Sequence, residues 1–434
     1  MSISSRWTGE DKYFKEDNKT FCILPFVHIH VDTDGIYKPC CVTPRNQFGN
    51  NSDMGNVSEE SVEDIFNSDK MKQLRLDLLN GVKRPEICDA CYQGDAGGFS
   101  TYRTGQNENL NRFIEPSVEA MQPDGYLEPS IKSWDIRYSN LCNLKCRTCG
   151  DPYSTTWSRE ESLLHGTEYK ELKAWEDGLD PLSNQYTEVT NIYFAGGEPM
   201  IMPEHYATLT RIIELGRANE IQLYYNTNMT KLDYNKHHMP DYWKEFKEVR
   251  LGLSLDSFGE RANYIRNGAV RWNKIEANIK ILKNYENLDY WMQPTISLMN
   301  VFTITEMHRY FIENELITDI NKILFNILYT PQHWSVKILP TNIKQEAKDK
   351  ILKHMIWMED NGASELAIEQ FNNLANYLDE GFDSETEKRE IGNFVYRTNQ
   401  LDAIRNESFP DTFPEYKEWW EEISKGTIKF VNIT

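Results

Sequence analysis

Between residues 131 and 340 the apolar positions switch repeatedly between two periods, and that switching predicts the architecture. Runs rich in β-branched and aromatic residues, SWDIRYS, TNIYFAGGEP, IQLYYNTN, VRLGLSLDS, YWMQPTISLMNV and KILFNILYTP, read as strands. Between them, TTWSREESLLH, HYATLTRIIELGRA, YWKEFK, WNKIEANIKILKNY and a stretch near 304–316 carry apolar residues every three or four positions and read as helices. Six strands alternating with helices predict an α/β fold whose parallel sheet closes, in part or fully, into a (β/α)6 TIM-like barrel. Ligands in such sheets sit where strand C-termini meet the following loops. The cysteine loop at 142–149 and the GGEP, NTN and SLDS segments all fall at such ends, which predicts one shared site.

The flanks are patterned differently. Around residues 22–41, VHIHV alternates, DTDG offers a turn with Gly35 free to take positive φ, and IYKP resumes the strand, so a hairpin is expected. SVEDIFNSDKMKQLRLDLLNG reads as one or two amphipathic helices ended by Gly81. RPEICDACYQGDAGG reads as a cysteine-bearing loop, and STYRTGQNENLNR as the start of a polar connector. Beyond SVKILP the chain turns charged, glycine-poor and helical, with PEYKEWWEEI as a packed amphipathic helix. Three domains are expected, at 1–130, 131–340 and 341–434.

Composition narrows the chemistry. A chain of 434 residues with 39% hydrophobic side chains can bury a sizeable core, and its formal charge of −20 argues against a nucleic-acid partner. No apolar signal core or membrane-length run is present, so a soluble cytoplasmic protein with no membrane association is expected. That compartment keeps thiols reduced, and the eight cysteines then read as metal ligands or reactive groups. Cys22, Cys40, Cys41, Cys88 and Cys91 form one group, Cys142, Cys146 and Cys149 another, and none follows. One metal site per group is expected.

CNLKCRTC places three thiolates within eight residues, too few for the four-ligand shell of a structural zinc. They suit a cubane 4Fe–4S cluster with one iron left open for a small ligand. With this motif the sequence resembles the radical S-adenosylmethionine (SAM) superfamily, over about residues 131–340. The resemblance extends to AGGEP (195–199), YNTN (225–228), LSLDS (253–257) and YIRNG (264–268); Thr148 stands where the family often has an aromatic residue. It implies Cys142, Cys146 and Cys149 as cluster ligands, and SAM contacts at Gly196, Gly197, Glu198, Asn226, Asn228, Ser254, Asp256 and Arg266. Reductive SAM cleavage to a 5′-deoxyadenosyl radical, followed by hydrogen abstraction, is the chemistry so implied.

Cys22, Gly35, Cys40 and the later CDAC are similar to the cysteine pattern of the SPASM/twitch element, here placed ahead of the barrel. The resemblance implies an auxiliary 4Fe–4S cluster on Cys22, Cys40, Cys88 and Cys91, while a tetrahedral zinc fits the same four residues. Cys41 is left over, as a buried small hydrophobe, a substitute ligand or a hydrogen donor to a product radical. His28 and His30 share a strand face and read as ordinary histidines, and His237 and His238 as solvated ones. The implied substrate is a peptide or protein side chain, with a small metabolite such as a nucleotide-linked sugar as the alternative. A non-catalytic iron–sulfur electron carrier is the remote third reading. A flavodoxin- or ferredoxin-type electron donor is the expected partner.

Overall fold

The computed structural model describes residues 18–44, 53–96, 100–268 and 271–427. Both chain ends and residues 97 and 98 of the expected cysteine loop lie outside them. The contacts divide the chain into two compact units. The first comprises Met1–Leu141, Glu171–Tyr225 and Pro240–Val249; the second comprises Cys142–Lys170, Asn226–Met239 and Arg250–Thr434.

In the first unit, three strands run parallel side by side: His28–Val31, Ser133–Ile136 and Asn191–Phe194, followed by residues 222–225. The expected hairpin forms, with His28–Val31 antiparallel to Ile36–Lys38 and Gly35 at φ +81° in its turn. A Cβ on Gly35 would lie 2.4 Å from the Ala174 carbonyl oxygen, so close backbone approach adds to the conformational reason for glycine. This hairpin continues the central sheet. Trp134, Ile136, Ile192, Phe194, Leu223 and Tyr225 are buried on one side of it; on the other, His30 and Asp135 are buried, while the strands Asn191–Phe194 and 222–225 are only half-buried there.

Three local expectations differ from the structure. Cys88 and Cys91 stand on a helix, Pro85–Ala96, not in a loop. The helix buries Ile87, Cys91 and Tyr92, so Cys91 serves as one of the apolar positions. The polar connector also begins as a helix, Tyr102–Asn109, opened by a Thr101/Thr104 capping box. Its inward face is polar: Arg103 and Asn107 both donate to the Phe21 carbonyl, at 2.9 and 3.0 Å, and Asn107 Oδ1 accepts from Ile23 N at 2.8 Å. An apolar periodicity could not reveal a helix anchored in this way. Finally, Cys22 precedes a helical turn at Leu24–Val27 and is not on the strand.

The second unit carries strand ends and the C-terminal helices. Ser254 N donates to Thr227 O at 2.8 Å, Gln293 N donates to Leu253 O at 2.9 Å, and Met292 bridges Ile323 in parallel. The helices Thr341–Asp360, Glu365–Tyr377, Ser384–Arg405 and Lys417–Thr427 follow. Phe394 stacks on Trp419 at 5.6 Å and Phe409 on Tyr416 at 5.9 Å, so the aromatic tail is packed as its pattern indicates. Among the described residues no helix is long and apolar enough to cross a membrane.

Buried histidines make stability pH-dependent. Burial lowers His28 and His308 to about 4, and His205 and His354 to about 3. An unfolded chain binds protons on these rings below about pH 6.5 while the folded chain does not, so stability falls as pH drops from about 6.5 toward 4. At pH 5 each ring forfeits about 2 kcal/mol. A thermal melt at pH 5 is expected well below that at pH 7.5; equal midpoints would contradict it.

Candidate functional site

The Cys142–Cys149 loop leaves the end of the Ser133–Ile136 strand and is held by backbone bonds on both sides. Lys145 N donates to Asn267 O at 2.7 Å and Arg147 N to Ile265 O at 2.8 Å, while Leu144 bridges Gly268. A Cβ on Gly268, at φ +143°, would lie 2.7 Å from Asn143 O, so this pairing needs glycine. Ser154, the N-cap of Thr155–His165, donates from Oγ to Leu144 O at 2.6 Å, and Trp157 Nε1 donates to Cys146 O at 2.7 Å. The loop is thus fixed by its own helix start before any ligand arrives.

Donors already address the thiols. Leu144 N–H points at Cys142 Sγ at 3.4 Å, and Arg266 Nη1 lies 4.0 Å from Cys146 Sγ. Burial raises the Cys146 thiol, with Arg266 opposing it. Burial, then the neighbouring Cys146, pushes Cys149 up to about 12. Such clustered thiols keep their protons unless a cation offsets their mutual repulsion, which is the donor chemistry of an iron–sulfur cluster. These residues fit that group.

Several residues expected at strand ends brace this loop. Asn228 Nδ2 donates to Asn143 Oδ1 at 3.2 Å, its Oδ1 accepts from Thr230 N at 3.0 Å, and Asn143 Nδ2 donates to Thr230 Oγ1 at 2.8 Å. Arg266 grips the buried Asp256 at 2.8 and 3.0 Å, and Asp256 Oδ1 also accepts from Thr295 N at 2.8 Å. Burial works to lower the Arg266 guanidinium, but Asp256 raises it further. Asn226 lies beside Gly252, where a Cβ would come within 2.7 Å of its Oδ1 and 2.0 Å of Gln293 Oε1. Ser254 is half-buried and tied through its backbone to Thr227.

Gly196, Gly197 and Glu198 belong to the first unit, where their turn packs on the backbone leading into Cys142. Gly197 N donates to Ser139 O at 3.4 Å and Glu198 N to Leu141 O at 2.8 Å. The Glu198 carboxylate is buried and accepts from Met200 N at 3.2 Å, capping the short helical turn that follows.

Cys22, Cys40, Cys88 and Cys91 line one small cavity with Leu24, Ile87 and Tyr102. Cys88 and Cys91 share a helix face by their i, i+3 spacing. Burial raises Cys22, Cys40 and Cys88, and in each case another of the four thiols adds to the rise. Among the described residues no group of three or more His, Cys, Asp or Glu side chains is arranged to hold a single metal ion.

Cys41 turns elsewhere. Burial raises its thiol, Asp135 adds to the rise, and Arg137 and a hydrogen bond with Tyr102 oppose it. His30 Nδ1 pairs with Asp135 Oδ2 at 2.9 Å, and both side chains are buried. Burial opposes ionisation of Asp135, yet His30 and Arg137 hold it down at about 2. The two neighbouring cysteines therefore face different surroundings, Cys40 the four-thiol cavity and Cys41 a buried polar cluster. His238 pairs with Asp233 at 2.7 Å and is partly exposed.

Sequence reasoning missed Arg147, Glu160, Asp402, Arg405 and Glu407. Arg147 is fully buried between two of the cysteines, stacked 3.7 Å over the Tyr264 ring and paired with Asp402 at 2.5 Å and Glu407 at 2.7 Å. A charged residue inside a cysteine motif is the one signal that could have pointed there.

Family models match both cysteine-bearing segments. Residues 136–307 match the radical SAM superfamily model, and this segment of the chain is a radical SAM domain. More particularly, residues 22–92 match the SPASM iron–sulfur cluster-binding domain, which here precedes the radical SAM domain. No curated relative matches the chain. Among solved structures, it is similar to anSMEcpe with bound AdoMet, at 19% identity and TM-score 0.41, covering 53% of this chain and 62% of that one. It is also similar to Streptococcus suis SuiB bound to S-adenosylmethionine, at 14% identity and TM-score 0.34, covering 67% of this chain and 62% of that one. TYW1 with a lysine-pyruvate adduct bound follows at 16% and 0.29, covering 54% and 72%. The chain thus spans less than two thirds of the length of anSMEcpe and of SuiB.

Proposed function

We propose that this chain is an enzyme that cleaves SAM reductively and abstracts hydrogen from a peptide or protein side chain. The observation that carries the reading is the Cys142–Cys146–Cys149 loop, braced at a strand end with donors on its thiols, inside the segment matching the superfamily model. Those three thiolates would hold a 4Fe–4S cluster. With SAM bound, that group supplies a 5′-deoxyadenosyl radical able to take hydrogen from an unactivated C–H bond. The chain's own part is positional. Leu144 N–H and Arg266 stabilise thiolate charge, Ser154 and Trp157 fix the loop, and the Asn143–Asn228–Thr230 bonds hold its first turn. Gly196, Gly197, Glu198, Asn226, Asn228, Ser254, Asp256 and Arg266 keep their assignment to SAM within this proposal.

The cavity of Cys22, Cys40, Cys88 and Cys91 is proposed to hold an auxiliary 4Fe–4S cluster, which the match of residues 22–92 supports. The division at 1–130, 131–340 and 341–434, a cytoplasmic location and a flavodoxin- or ferredoxin-type donor complete the reading. Anaerobically reconstituted protein should contain about eight irons per chain. With SAM and a reductant it should yield 5′-deoxyadenosine that gains label from a deuterated peptide; label from a nucleotide-linked sugar alone would move the substrate to small metabolites. Zinc in place of about four of those irons would replace the auxiliary cluster.

The doubled cysteine gives a separate expectation. Cys40→Ala should lose auxiliary iron, whereas Cys41→Ala should retain it, because only Cys40 lines the cavity. Iron analysis of the two variants checks this, and the reverse result would contradict it.

A further inference from the structure

The three-cysteine loop is tied to residues more than two hundred positions away in sequence. Arg147 has no exposed side-chain surface, and its Nε donates to Tyr264 O at 3.2 Å while its ring-stacked guanidinium meets Asp402 and Glu407. Asp402 is fully used: Oδ1 also accepts from Tyr264 Oη at 2.8 Å, and Oδ2 from Phe409 N at 2.7 Å. Asn406 ends the helix Ser384–Arg405 in the left-handed region, at φ +53°, and Glu407 N returns to Asp402 O at 3.0 Å. That reversal presents the carboxylates of Asp402 and Glu407 to one guanidinium. Beside them Arg405, equally buried, donates to Lys145 O at 2.9 Å and pairs with Glu160 at 2.5 Å, and Lys145 Nζ meets Glu160 at 2.6 Å.

We propose that the end of the helix Ser384–Arg405 is a clamp on the cluster loop, with Asp402 and Glu407 as positioning residues that act through Arg147. Arg405 holds the peptide before Cys146 and Arg147 the peptide after it, so the loop is gripped on both sides of its middle thiol. The two carboxylates around Arg147 make that group net negative, and Lys145 and Arg405 around Glu160 offset it, so neutralising either Asp402 or Glu407 leaves the surroundings of the thiolates net positive. More positive surroundings favour the more negative, reduced cluster and raise its potential. This inference rests on the reading of Cys142, Cys146 and Cys149 as cluster ligands.

The test is an EPR-monitored redox titration of the reconstituted holoenzyme, with iron content measured on the same samples. Asp402→Asn and Glu407→Gln should each raise the midpoint potential of the three-cysteine cluster, the pair more than either alone. The Cys22, Cys40, Cys88 and Cys91 centre should not move. Arg147→Lys keeps the charge but loses the two-carboxylate fork, and should broaden the cluster's EPR line. Unchanged potentials and line shapes in variants that keep their iron overturn the clamp. Loss of iron in Asp402→Asn with an unshifted Glu407→Gln overturns the charge effect as well. A wild-type protein that takes up no cluster would instead refute the ligand reading beneath it.

Discussion

Cys142→Ala is expected to bring 5′-deoxyadenosine formation to background and to remove about four irons per chain, leaving the auxiliary irons in place. Cys142 opens the loop, and its Sγ is the one that accepts the Leu144 N–H. With three protein ligands and one open iron, each of the three thiols is needed; no cysteine follows Cys149, and Cys22, Cys40, Cys88 and Cys91 line a cavity of their own. Folding should survive, because the loop is held mainly through Lys145, Arg147, Ser154 and Trp157, and the bonds of Cys142 to Thr155 are made by its backbone, which alanine keeps. Cys146→Ala and Cys149→Ala should give the same loss of iron and product. The measurement is iron content with product yield under anaerobic reduction. Undiminished SAM cleavage in any of the three would remove the loop from the chemistry altogether.

Much of this site was legible in the sequence because its chemistry is local. The cysteine loop, the glycine turn and the strand ends are short segments whose residue types have few alternative uses in such combination. The parallel strands were legible as well, since apolar runs between amphipathic helices have one economical arrangement. What stayed hidden was anchored by polar groups or by distant chain. The helix Tyr102–Asn109 escapes an apolar pattern because Arg103 and Asn107 do the anchoring. Cys91 faces the core as a small apolar residue, so its helix reads as a loop when cysteine is taken only as a ligand. Arg147 finds Asp402 across 255 positions, a pairing that no local pattern encodes. Conversely, Glu198 and Asn228 have structural partners in the folded chain, which spacing alone could not show.

Gly197→Ala should be strongly damaging through close contact alone. Its backbone is not in the left-handed region, so alanine carries no conformational penalty there, and the whole effect comes from contact. The added Cβ would sit 2.1 Å from Leu141 O and 2.6 Å from its carbonyl carbon. These are backbone atoms, and that same carbonyl accepts the Glu198 N–H at 2.8 Å, so neither partner can swing aside. Relief requires the turn to lift from the segment that leads into Cys142. Overpacking of this kind costs about 3 kcal/mol, and the lifted turn no longer presents the backbone proposed to receive SAM. A melting-temperature drop of several degrees is expected together with loss of SAM affinity. Gly216→Ala is the control: it lies at φ +69° with nothing within 4 Å, so it should cost about 1 kcal/mol through backbone freedom alone and leave SAM binding intact. Equal losses in the two variants would mean that close approach at Gly197 is not what holds the turn.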